Sequence, residues 1–163
     1  MNYCYETVET KYPKLVQEYG VSRAILLEKF RETPNAVLFA TRSFWEGIDV
    51  KGDDLVLVVI HKLPFETPSD LVYSSKTEKI DKELGQGKSW FNYTLPDTCL
   101  KLKQGVGRLI RSKTDKGVIA ILDSRISYKG YGKVVVKSLP PSYITQKLEK
   151  VKNFYAKING KKR

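Results

Sequence analysis

Gln104, Arg108 and Arg111 are the residues whose types and spacing could do chemistry together, in the segment Gln104-Gly105-Val106-Gly107-Arg108-Leu109-Ile110-Arg111. On a helix advancing about 100° per residue, Arg108 falls near ~40° from Gln104 and Arg111 near ~−20°. One carboxamide and two guanidinium groups then share a narrow face. Cys99, Leu102, Val106, Leu109 and Ile110 share the opposite face, which should pack on a sheet. Arginine stays protonated and presents a planar fork of donors that matches phosphate oxygens. In phosphoryl transfer, such a fork stabilises the charge spread over the transferred group. Gly105 and Gly107 flank this stripe and allow close approach, at about 1 kcal/mol each relative to alanine in a helix. The pattern points to a nucleotide phosphate; its competitor is a surface helix with solvated arginines.

A helix from about Asp97 to Ile110 must carry these residues, and the rest of the chain must hold that helix. Ser22 can cap a helix running to Glu32, with Ala24, Leu27 and Phe30 recurring along it. Ala36 to Ala40 is a short apolar run of strand type. Leu55 to Ile60 is apolar at every position, the pattern of a strand buried on both faces. Residues 64–70 (PFETPSD) form a proline-marked loop, and a helix is expected over 71–84. Residues 85–96 are expected to loop, carrying Trp90, Phe91 and Tyr93. Gly117 to Asp123 is a third strand and Val134 to Val136 a fourth. A last helix runs from about Tyr143 to Lys157, before a frayed tail. This alternation predicts an α/β layered sheet. Ligands in such sheets sit beyond the carboxyl ends of the strands, here after Ala40, Ile60 and Asp123.

Composition sets the outer bounds. The 163 residues suit one domain with a real core. A net charge of +11 favours a polyanionic partner, nucleic acid first. The two cysteines, Cys4 and Cys99, are far apart with no ligand spacing, so neither a metal nor an iron–sulfur site is expected. Lone thiols, the absence of a signal pattern and the absence of a long apolar run predict a soluble cytoplasmic protein away from membranes.

The motifs carry a family resemblance. QGVGRLIRS (104–112) resembles motif VI of superfamily 2 helicases, pattern QxxGRxxR. SFWEGIDVKG (43–52) resembles motif V of the DinG/XPD branch. KLPFETPSD (62–70), DSR (123–125) and YGK (131–133) continue the similarity, from about Val21 to Pro141. The DinG-like bacterial group fits best. The resemblance implies a three-layer RecA-like fold of the P-loop NTPase type, with a mainly parallel central sheet. The chain would be the second, C-terminal motor domain of an ATP-dependent DNA helicase. It divides into an N-terminal segment (1–20) that is a remnant of the domain's start, the motor domain proper (21–141) and a C-terminal helix with a basic tail (142–163).

In that family ATP and magnesium sit between two RecA-like domains, and the partner substrate is single-stranded or forked DNA. The resemblance makes Arg111 the arginine finger, with Arg108 beside it on the phosphates. Gln104 orients the helix or places the attacking water. In motif V, Gly47 allows close backbone approach, and Glu46 and Asp49 contact the nucleotide side or hold the motif VI arginines. Thr41, Ser43 and Lys51 are candidates for DNA phosphates. Plainer roles compete: Asp49 capping a turn, Trp45 filling core, His61 as a satisfied structural histidine, Asp123 and Arg125 as a local ion pair.

What is missing is equally informative. The nearest thing to GxxxxGK[ST] is GQGKS (85–89), and it has Lys82 where the first glycine belongs. It also follows a helix, whereas a phosphate loop follows a strand. No DEAH-type box appears, and residues 1–14 do not match the family's motif IV strand. The expectation is a chain that cannot hydrolyse ATP alone and needs an N-terminal RecA-like domain, in the same or another chain. It would be a fragment or a split-gene product. The alternative is a stand-alone nucleic-acid-binding or regulatory module, with Trp90, Phe91 and Tyr93 stacking on bases.

Overall fold

A computed structural model describes residues 2–18, 20–45, 55–107, 109 and 115–159. In chain order they form α1 (Asn2–Thr7), β1 (Lys14–Val16), α2 (Arg23–Glu32), β2 (Val37–Phe39), a 3-10 turn (Arg42–Trp45), β3 (Leu57–Ile60), α3 (Leu71–Leu84), a π turn (Trp90–Thr94), α4 (Leu95–Val106), β4 (Val118–Ile121), α5 (Arg125–Tyr128), α6 (Gly132–Ser138) and α7 (Leu148–Asn159).

Among the described residues the strands make two parallel pairs. Lys14 to Val16 of β1 lie opposite Val37 to Phe39 of β2, and Leu57 to Ile60 of β3 lie opposite Val118 to Ile121 of β4. Each pair is joined through a helix-bearing crossover, as parallel strands require. Two cores follow. Leu15, Leu26, Leu27 and Phe44 bury against one another around the first pair. Ile60, Leu63, Leu95, Cys99, Leu102, Val106 and Val135 form the larger core around the second.

Caps explain the helix bounds. The Ser22 hydroxyl accepts from the Ala24 N–H (3.3 Å) and starts α2 as expected. The Asp70 carboxylate accepts from the Tyr73 N–H (2.8 Å) and starts α3, which ends at Gly85 with φ 107°.

The structure corrects several expectations. β1 was not foreseen; a three-residue strand leaves almost no periodicity to read. β3 is not buried on both faces: Leu57 and Val59 are exposed while Val58 and Ile60 face the core. Residues 85–96 are not an open loop, because the helical path begins before α4. The Leu95 N–H donates to the Trp90 carbonyl five residues back, and this wider turn accommodates Pro96, which has no N–H to give. Val134 to Val136 lie in α6, not in a strand. Valine costs a helix under about 0.7 kcal/mol, whereas fully burying Val135 against α4 returns roughly 1.5–3 kcal/mol. The last helix starts at Leu148 rather than Tyr143, and α4 stops at Val106 rather than Ile110.

Candidate functional site

The helix α4 presents its predicted core face inward. Leu102 and Val106 are fully buried and Cys99 nearly so, while Lys103 and Gln104 are exposed. Beyond Val106 the chain tightens. The Gly107 N–H donates to the Lys103 carbonyl (2.7 Å) and the Leu109 N–H to the Val106 carbonyl (2.9 Å). A Cβ at Gly107 would stand 3.0 Å from the Lys103 oxygen, so glycine fits this closure. The helical projection from Gln104 to Arg108 and Arg111 therefore runs past the end of the helix. Arg108 and Arg111 lie outside the described residues, as do Glu46, Gly47, Asp49 and Lys51. Leu109, between the two arginines in sequence, is completely buried and abuts Gly117, where a Cβ would meet its Cδ1 at 2.5 Å.

Segments distant in sequence converge beside α4. The Asp123 carboxylate, at the end of β4, accepts from the Leu63 N–H (2.9 Å) and is bridged by Arg125 (2.6 Å). The Arg125 hydrogen bonds, reinforced by Leu63 and opposed by burial, hold the Asp123 carboxyl well below the usual carboxylate range. The local ion pair expected of Asp123 and Arg125 is therefore what the structure contains. The Arg125 guanidinium also lies 5.3 Å from the centre of the Phe65 ring. Phe65 stacks on Trp90 (5.5 Å), and Tyr131 closes the cluster on both rings. So PFETPSD, DSR and YGK form one packed unit. Trp90 belongs to it, and Tyr93 packs on Tyr73, whose hydroxyl is 2.7 Å from Thr94 Oγ1. Phe91 alone of the three loop aromatics is exposed.

Two polar networks escaped the sequence reading. Glu66 pairs with Arg42 (2.9 Å) and with Lys101, which also pairs with Asp97 (2.5 Å). The hydrogen bond from Lys101 outweighs burial and, with Arg42, lowers the Glu66 pKa. Burial alone would lower Lys101, but Asp97 and Glu66 together raise it. Second, Thr41 and Ser43 come together at the carboxyl end of β2. Their hydroxyl oxygens are 2.8 Å apart, and the Gln17 carboxamide oxygen accepts from both the Thr41 N–H and its hydroxyl, each at 3.0 Å. Nothing in the residue types marked Gln17 or Glu66; only the fold brings their partners near, although Asp97 and Lys101 stand at i,i+4 on one helix.

His61 is exposed just past the end of β3. The GQGKS segment follows α3, and its N–H groups face a carboxylate. The Ser89 N–H donates to Asp81 Oδ1 (2.7 Å), and that bond, aided by Gly87 and Lys88, lowers the Asp81 pKa. The N–H groups of this segment are thus taken up by a side chain of α3.

A family model described as the helicase C-terminal domain matches residues 1–142. The chain belongs to that family. As a helicase C-terminal domain, it has a RecA-like fold by membership, here seen as mixed helices with short parallel strand pairs. It is 42% identical over 146 residues to the ATP-dependent DNA helicase YoaA of Haemophilus influenzae, covering 90% of this chain and 22% of that protein. It is 44% identical over 135 residues to the YoaA of Escherichia coli, covering 83% and 21%. It is 40% identical over 128 residues to the 3'-5' exonuclease DinG of Bacillus subtilis, covering 78% and 13%. The chain therefore spans about a fifth or less of the length of these relatives. No described helix is long and apolar enough to cross a membrane.

Proposed function

We propose that this helicase C-terminal domain is the second motor half of a DinG-type, ATP-dependent DNA helicase acting on single-stranded or forked DNA. In this reading residues 21–141 form a three-layer motor domain with a mainly parallel sheet, preceded by the segment 1–20 and followed by the helix and basic tail of 142–163. ATP binds between it and an N-terminal RecA-like domain. Arg111 supplies the finger and Arg108 a second phosphate contact. Gln104, exposed at the end of α4, orients the site or the attacking water. Glu46, Gly47 and Asp49 line the nucleotide side, while Thr41, Ser43 and Lys51 meet DNA phosphates. In this reading the magnesium, which neutralises phosphate charge, is held mainly by the first motor domain. The chain alone does not hydrolyse ATP.

The observation that carries this reading is the anchored end of α4. Its apolar face and Leu109 are buried while Gln104 is exposed, which supports a helix end that turns Gln104 outward from an anchored core face. A stand-alone base-stacking module draws less support, because Trp90 and Tyr93 are committed to internal ring contacts. The test is to add an N-terminal RecA-like domain and measure DNA-stimulated ATP hydrolysis. Activity of the pair, with none from either half, is expected; activity of this chain by itself contradicts the proposal.

A further inference from the structure

We infer that Glu66 is a positioning residue that couples the turn opening motif V to the helix that delivers motif VI. The inference rests on the proposed motor function. Arg42 starts the 3-10 turn that also contains Ser43. Lys101 lies on α4, one turn before Gln104. Glu66 joins both, with one carboxylate oxygen, Oε1, contacting Arg42 Nη2 at 2.9 Å and Lys101 Nζ as well. Arg42 adds a second contact to Oε2 at 3.2 Å. The link crosses from the smaller core to the larger one, since Phe44 of the turn is buried in the first and Leu102 beside Lys101 in the second.

Ordinary surface ion pairs contribute little. This one differs in two ways. The Glu66 and Lys101 side chains are only 21% and 18% exposed, so solvent screens that half of the link weakly, while the Arg42 half, at 38% exposed, is screened more. Lys101 is also held from behind by Asp97, one turn back on its own helix, which fixes the ammonium toward Glu66. A displacement of the turn at Arg42 is thus transmitted to α4 through short contacts between groups that are already ordered. Coupling between two segments can be carried by such chains of ion pairs and packed side chains. Glu66 touches neither ligand in this scheme; it sets where Arg42 and Lys101 hold their elements.

The experiment uses the full 163-residue chain with its first motor domain, comparing Glu66→Gln, Lys101→Met and the double variant, with Arg111→Ala as control. Expected for Glu66→Gln is a fall in DNA-stimulated kcat of about tenfold, with KM for ATP moving less than about twofold. The double variant should lose no more than the worse single one. In parallel, amide exchange on the chain alone should quicken in both 42–45 and 102–107 for Glu66→Gln and for Lys101→Met. The idea is overturned by unchanged kcat in both single variants while Arg111→Ala is inactive, by additive losses, or by exchange that changes only around residue 66. A pair with no DNA-stimulated turnover at all condemns the motor reading, and the exchange pattern then decides the coupling by itself.

Discussion

Asp123 holds Leu63 across sixty residues of sequence, its Oδ2 accepting the Leu63 N–H at 2.9 Å. That bond ties the end of β4 to the loop that begins PFETPSD, and Arg125 contacts the same oxygen at 2.6 Å. Asp123→Asn removes the charge from both interactions. A loss of about 1.5–3 kcal/mol of stability is expected, measured by denaturant unfolding at pH 7.

The same carboxylate sets an acid dependence. Its pKa is lowered in the folded state. Its stabilisation is therefore complete above the unfolded value of about 3.9 and is lost as pH falls through the range below it. Thermal unfolding between pH 6 and 2.5 should show a shallower acid decline for Asp123→Asn than for the parent. Parallel curves would remove Asp123 as a source of the decline.

Gly132 is a steric requirement. A Cβ there would stand 2.0 Å from the Ile126 carbonyl oxygen, a backbone atom. Gly132→Ala must displace α5 from α6, for a cost of roughly 1–3 kcal/mol or more. Gly130→Ala, with nothing within 4 Å of the added carbon, should change stability by under about 0.5 kcal/mol. Equal Tm values for the two variants would contradict this.

The loop aromatics should separate by role. Trp90→Ala breaks the stack with Phe65 and Tyr131 and should cost about 3 kcal/mol. Phe91, 69% exposed, should cost little when replaced by alanine. If Phe91→Ala lowers single-strand affinity several-fold with stability intact, that ring stacks on bases.

Much of the architecture was readable from local signals. The α2 start at Ser22 and the α3 span of 71–84 followed from a cap and a proline-marked loop. The inward face of α4 followed from helical spacing. Errors came where tertiary packing outweighed local preference. The valines at 134–136 read as strand until Val135 is seen buried against α4. Pro96 read as the edge of a loop until the π turn is seen to absorb it. Thr41 and Ser43 were singled out from the sequence as candidates, but the Gln17 carboxamide that joins them was not, being 24 residues from Thr41. Glu66 was hidden similarly, its two cationic partners lying 24 residues before it and 35 after.

The GQGKS segment offers a negative control. With Asp81 accepting the Ser89 N–H, Lys88→Ala should leave ATP hydrolysis by the paired domains unchanged.

Arg111→Ala tests the central claim most directly. In the chain paired with an N-terminal motor domain, DNA-stimulated kcat should fall by roughly 10³-fold or more, the scale of a lost arginine finger. DNA affinity and thermal stability should stay close to the parent's. A kcat equal to the parent's would contradict the account.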